Sequence, residues 1–250
     1  MNGIQRKKIL GVPVDLVDRS DAINYIDRLI KADTKGHYIF AINAEKVMAL
    51  RQDGFLREMA QHACLLIPDG MGAVLGIRVL YGKKIKRVSG VDLMHALCKE
   101  SAIKGYRIFM YGGKEDVNQE AVTRLRILYP GINIVGRCNG YIGADDIEKL
   151  VTQINETEAD ILFVALGSPK QERWIQKYLP RLNVKVCQGI GGTLDTITGD
   201  VRRAPLFLQH AGLEWLYRLI SDPRRIRRQL VLPVFVIEVF KERLKRKAAV

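Results

Sequence analysis

The chain has 250 residues, 48% of them hydrophobic and 27% charged, which excludes wholesale disorder and a collagen-like fibre and suffices for one α/β core. Forty Lys+Arg against 27 Asp+Glu leave a net charge of +13, which points to an anionic partner: nucleic acid, phospholipid or a phosphorylated substrate. Twelve of the basic residues but only four of the acidic ones fall after residue 200, so a basic tail follows a near-ordinary core.

From the N-terminus, Arg6-Lys7-Lys8 lead into an apolar run, Ile9 to Val14, that stops at Asp15 and is too short for a signal peptide. Strands are expected at Tyr38–Ile42, Leu65–Ile67, Arg107–Tyr111, Ile132–Val135, Ile161–Leu166 and Val184–Cys187, with amphipathic helices between them. One helix should start at Ser89, with Asp92 three residues on, and another should run from Asp116 to Tyr129, closed by Pro130-Gly131. A third reads as opening on a capping box, with Ser168 as N-cap, Pro169 at the first helical position and Gln171 reaching back. This pattern predicts a Rossmann-like α/β core with a mostly parallel sheet over residues 1–200. A helical, basic C-terminal appendage should fill residues 201–250. Its longest apolar run, Leu230 to Ile237, contains Pro233 and ends at Glu238, short of the roughly 18–20 residues a membrane span needs.

The cysteines (Cys64, Cys98, Cys138 and Cys187) lie far apart without a C-x-x-C, which reads as reduced thiols in a cytosolic protein. The histidines are equally scattered, so no metal site is expected. Chemistry is expected at the strand ends, where ligands of open parallel sheets bind. Gly112-Gly113 and Gly189-Ile190-Gly191-Gly192 suit a diphosphate, because glycine admits close backbone approach and a helix N-terminus supplies amide donors. Asp69 has two readings, a general base with room left by Gly70 and Gly72, or the N-cap of the next helix. Gly70, Gly72 and Gly76 also resemble a dinucleotide fingerprint, but no acidic strand end follows at the usual distance. No D-x-D occurs to hold a metal against a nucleotide diphosphate, so cations or helix dipoles would have to neutralise a leaving diphosphate. Arg218, Arg224, Arg225, Arg227 and Arg228 offer that charge in a geometry suited to phosphate.

Read in order, Gly11-Val12-Pro13-Val14-Asp15, Asn43-Ala44-Glu45, Pro68-Asp69-Gly70 and Arg87-Val88-Ser89-Gly90-Val91-Asp92 form a series. Gly167-Ser168-Pro169-Lys170-Gln171-Glu172, Gly191-Gly192-Thr193-Leu194-Asp195, Arg203-Ala204-Pro205 and Glu214-Trp215-Leu216-Tyr217-Arg218 continue it. The series resembles the TagA/WecG/CpsF glycosyltransferases of bacterial cell-envelope polymer synthesis, and most of all their TagA branch. The resemblance implies inverting, metal-independent transfer of N-acetylmannosamine from its UDP donor to undecaprenyl-diphosphate-linked N-acetylglucosamine, in wall teichoic acid linkage-unit synthesis. It puts the base at Asp69 and further active-site positions at Asn43, Arg87 and Gln171. Arginines brought over the diphosphate fall on Arg218, Arg225 and Arg228. A threonine frequent in the family is Ala41 here, which bears on the donor sugar, since WecG-like members use the related uronic acid donor.

On this reading the Gly112-Gly113 and Gly189–Gly192 loops cradle UDP, Asp195 meets a ribose hydroxyl, and Tyr141 either covers the uracil or packs in the core. The tail, with Leu230–Phe240 apolar and Lys241–Lys247 basic, suits a helix lying on an anionic leaflet at the inner face of the cell membrane. The other reading of the tail is a helix packed on the core or in a homo-oligomer interface. The rival functions are a nicotinamide-dependent oxidoreductase, resting on the 70–76 glycines, and a nucleic-acid-binding module, resting on the basic tail. The second lacks interleaved aromatics, so no nucleic acid is expected.

Overall fold

The computed structural model describes residues 4–210, 212–221, 226 and 230–248. The first apolar run folds as a hairpin, in which β1 (Arg6–Ile9) and β2 (Val12–Asp15) pair antiparallel about Leu10 and Gly11, both at positive φ. Asp15 ends the hairpin, 1% exposed, and accepts bonds from Arg6 at 2.7 and 2.9 Å and from the Leu66 amide at 2.8 Å. A buried carboxylate is costly unless paired. These bonds therefore staple the hairpin to the main sheet.

That sheet contains β3 (His37–Ile42), β4 (Leu65–Pro68), β5 (Arg107–Gly112), β6 (Asn133–Cys138), β7 (Ile161–Ala165) and β8 (Val186–Gly189). Its order is β4-β3-β8-β7-β5-β6 with every neighbour parallel. Each strand foreseen from the sequence forms, four with one end moved by a single residue and two shifted further. β6 starts one residue later and runs on to Cys138, and β8 starts at Val186 because its ladder with β7 opens at Ile161↔Val186.

The helices are α1 (Arg19–Lys31), α2 (Ala44–Gln52), α3 (Gly54–His62), α4 (Met71–Tyr81), α5 (Gly90–Lys104), α6 (Glu115–Leu128), α7 (Ile147–Glu156), α8 (Lys170–Tyr178), α9 (Thr193–Thr198), α10 (Leu206–His210), α11 (Glu214–Ser221) and α12 (Val231–Ala248). Alternate strand residues divide them between the two faces of the sheet, as an all-parallel sheet requires. Phe109, Tyr111, Leu162 and Val164 meet α2, α3, α7 and α8, whereas Ile108, Met110, Ile161 and Phe163 meet α1, α5 and α6. α5 begins as foreseen, with the Ser89 side chain accepting from the Asp92 amide. α8 does not. It starts at Lys170 with Pro169 at the cap and no side-chain cap bond, so the capping box expected at Ser168–Gln171 is absent and Gln171 is left for other work.

The tail ends in α12, which lies across α4 and α2. Phe235 and Val239 enter the core cluster, Arg246 stacks on Tyr81 at 4.5 Å, and Glu242 accepts the Leu10 amide at 2.8 Å. Pro233 sits in the first turn of α12, where its missing N–H costs nothing.

Candidate active site

Ile42 pairs with Pro68 in the β3–β4 ladder, so Asn43 and Asp69 leave the sheet side by side at its carboxyl edge. Asn43 caps α2 by accepting the Lys46 amide at 2.8 Å. Asp69 does not cap the helix that follows: Gly70 holds that place at φ +96°, without a side-chain bond, and a Cβ there would stand 3.4 Å from Asn43 Cβ. The N-cap reading of Asp69 therefore fails, and its carboxylate, 27% exposed, stands at the carboxyl end of β4. Arg87 runs beside it, placed by the Val88 amide bonding to Pro68 O at 3.0 Å.

Arg87 stands between two carboxylates. Its Nε is 3.9 Å from Asp69 Oδ1, and its Nη2 donates to Glu214 Oε2 at 2.6 Å. Burial opposes the guanidinium charge, but the Glu214 bond and the fields of Glu214, Asp69 and Asp92 outweigh it and raise the pKa above its ordinary value. Glu214, itself buried, opens α11, so a residue of the tail reaches Arg87 of the core. Gly212, just before it, packs so closely on Met71 that a Cβ would lie 2.5 Å from Met71 Cγ. Gln188 completes this end: it is 1% exposed on β8, and its Nε2 donates to Gly90 O at 2.8 Å.

The strands β5 and β7 diverge to opposite neighbours, which makes a switch point at their carboxyl ends. There Gly112, at φ +117°, approaches Ala165 so closely that a Cβ would lie 2.4 Å from its carbonyl oxygen. Gly113 abuts Leu194 of α9, which brings the 112–113 loop against the 189–195 segment. Gln171 is buried and accepts the Gly191 amide on Oε1 at 3.0 Å. Gly192 caps α9, and Asp195 turns back on it, with Oδ2 3.3 Å from where a Gly192 Cβ would stand. Tyr141 is 77% exposed, so the core-packing reading of its ring is overturned.

The sequence model of the Glycosyl transferase WecG/TagA/CpsF family matches residues 7–249. The chain belongs to this family. It is also 32% identical over 244 residues to the N-acetylglucosaminyldiphosphoundecaprenol N-acetyl-beta-D-mannosaminyltransferase of Bacillus subtilis (strain 168), a match covering 98% of this chain and 94% of that one. As a member of the WecG/TagA/CpsF family it is a glycosyltransferase.

The glycines that resembled a dinucleotide fingerprint serve packing instead. A Cβ on Gly72 would meet Ala44 Cβ at 2.8 Å, and one on Gly76 would meet Ile9 at 3.1 Å, so both let α4 sit against α2 and the hairpin. The oxidoreductase reading loses its only support. Of the arginines expected over a diphosphate, Arg218 lies on α11 with its side chain outside the description, and Arg225 and Arg228 lie outside the described residues. Sequence reasoning gave no role to Gln188, Glu214, Lys46 or Glu172. Gln188 carried a signal, a polar residue directly after the strand expected at Val184–Cys187. Glu214 stood in the Glu214–Arg218 motif, but its pairing with Arg87 was not legible, because the two are 127 positions apart.

Proposed function

We propose that this glycosyltransferase moves N-acetylmannosamine from UDP-N-acetylmannosamine to N-acetylglucosamine carried on undecaprenyl diphosphate, with inversion. The observation that carries the reading is the juxtaposition of Asp69, Asn43 and Arg87 at the β3–β4 edge with glycine-lined strand ends beside it. The activity printed for the Bacillus subtilis relative supports it. In the reaction the acceptor 4-hydroxyl attacks the anomeric carbon opposite the diphosphate. As the new C–O bond forms, the bond to the diphosphate breaks and UDP leaves with the electron pair. Asp69 takes the hydroxyl proton, a task that suits a partly exposed carboxylate at a strand end.

Arg87 steadies the anionic form of Asp69 without seizing it, because its hydrogen bond goes to Glu214. The Gly112-Gly113 and Gly189–Gly192 backbones cradle the donor diphosphate, Asp195 meets the ribose and Tyr141 covers the base. Arg218, Arg225 and Arg228 neutralise the leaving group in place of a metal. Residues 1–200 thus form the catalytic core, and residues 201–250 complete the site and hold it at the cytoplasmic face of the membrane. What supports that attachment is the outer face of α12, where Val234, Ile237, Phe240 and Leu244 are exposed in helical register beside Lys241 and Lys245. Among the described residues no helix is long and apolar enough to cross a membrane.

The test is UDP release from a panel of UDP-sugars with a lipid-diphosphate N-acetylglucosamine acceptor, in excess EDTA. UDP-N-acetylmannosamine should turn over fastest. Preference for its uronic acid would correct the donor, and activity that needs added Mg²⁺ or Mn²⁺ would remove the metal-free mechanism.

A further inference from the structure

Glu172 follows Gln171 at the start of α8 and is only 4% exposed. Its Oε1 accepts from the Lys46 ammonium at 2.7 Å and from Gln171 Nε2 at 3.2 Å. Lys46 also donates to Ser168 Oγ at 2.6 Å, and its backbone amide is the one that Asn43 caps. The contacts therefore run from the end of β3, through α2, to the start of α8, and through Gln171 to the Gly191 amide after β8.

Stability alone does not explain this pair. Desolvation offsets most of the attraction in a buried ion pair, and Glu172 Oε2 is buried with no hydrogen-bond partner among the described residues. Orientation does explain it. The two ends of a glutamine amide have nearly the same shape, but one only accepts and the other only donates. A carboxylate only accepts, so Glu172 admits the Nε2 end of Gln171 and turns Oε1 toward the Gly191 N–H. The flipped amide would set oxygen against carboxylate and NH₂ against N–H. Gly189 leaves the space, since a Cβ there would lie 2.6 Å from Gln171 Nε2. Lys46 supplies the counter-charge that lets an acceptor-only group be buried at all.

We propose that the Lys46–Glu172 pair is a positioning device for the donor end of the site. It locks the Gln171 amide, which holds the Gly189–Gly192 loop in the shape that receives a nucleotide diphosphate. The link to the donor rests on the glycosyl-transfer reading above, whereas the amide lock does not.

The experiment compares full-length wild type with Glu172→Gln, Lys46→Met/Glu172→Gln and Gln171→Met. Glu172→Gln puts an amide where only an acceptor stood. The double variant does the same without leaving an unpaired buried charge, so it is read even if the single variant fails to fold. Gln171→Met sets the scale of complete loss. Two quantities are measured: hydrogen exchange at the Gly191 amide by NMR in ligand-free protein, and UDP affinity by calorimetry. Exchange at Gly191 should speed up about five- to tenfold, the worth of one hydrogen bond, while amides in β5 and β7 keep their rates. The Kd for UDP should rise by a similar factor. If Gly191 exchange changes in Gln171→Met but not in the Glu172 variants, the pair does not orient the amide and the proposal falls. If exchange speeds up in all variants while UDP affinity stays put, the lock stands and its role in donor binding is overturned.

Discussion

At the scale of single residues, the arrangement turns on one guanidinium shared by two carboxylates. Asp69→Asn keeps the shape beside Arg87 and removes the proton acceptor, so turnover should fall roughly 10²–10⁴-fold, the usual worth of general base catalysis. Affinity for UDP should change little, and a folded variant that keeps most of its rate would end the assignment. Glu214→Gln tests the other side of Arg87. The 2.6 Å bond joins two largely buried groups, so weakening it should cost about 1.5–3 kcal/mol, the net worth of a hydrogen bond to a charged group. The melting temperature should drop. Turnover should drop as well, because Arg87 is then drawn toward Asp69 and makes it a weaker base. An unchanged rate with a lowered melting temperature would make Glu214 structural only.

At the scale of elements, α12 is apolar on two sides for two reasons. Its inner side carries Phe235 and Val239, each 3% exposed, against α4 and α2. Phe235→Ala should therefore destabilise the protein by roughly 3–5 kcal/mol, as large-to-small changes in a core do. Its outer side carries Ile237 and Phe240, both more than half exposed. Ile237→Ser with Phe240→Ser should leave unfolding within about 0.5 kcal/mol of wild type while weakening co-sedimentation with anionic vesicles. Vesicle binding that survives both changes would leave the membrane-facing role of this stripe without support. β5 and β7 were legible in the sequence because they are continuous apolar runs, buried on both faces. The hairpin was not. Three of the four β1 residues are cationic and β2 contains a proline, so neither reads as a strand until Asp15 is seen bonded to the Leu66 amide. The capping box misled because Ser168 and Gln171 have the right spacing, yet their side chains take tertiary partners, Lys46 and Gly191.

At the scale of the molecule, the candidate site is legible in the residues themselves where it follows directly from strand ends, as at Asp69 and Gly112, whereas Asn43, Arg87 and Gln171 came only with the family resemblance. Where it depends on distant segments meeting, it is not. Lys46 with Glu172 and Arg87 with Glu214 are both joined across more than a hundred positions. The second of these also binds the tail to the core. A cut near residue 200 would strip Phe235 and Val239 from the hydrophobic cluster and Glu214 from Arg87, so the truncated chain is not the enzyme minus an anchor. The proposed reaction is a single inverting displacement with Asp69 as the base. It is tested most directly by NMR of the disaccharide made from α-linked UDP-N-acetylmannosamine and a lipid-diphosphate N-acetylglucosamine, with metals chelated. A β-linked product is expected, with one UDP released per linkage formed. An α-linked product, or UDP release with free sugar and an unchanged acceptor, would contradict it.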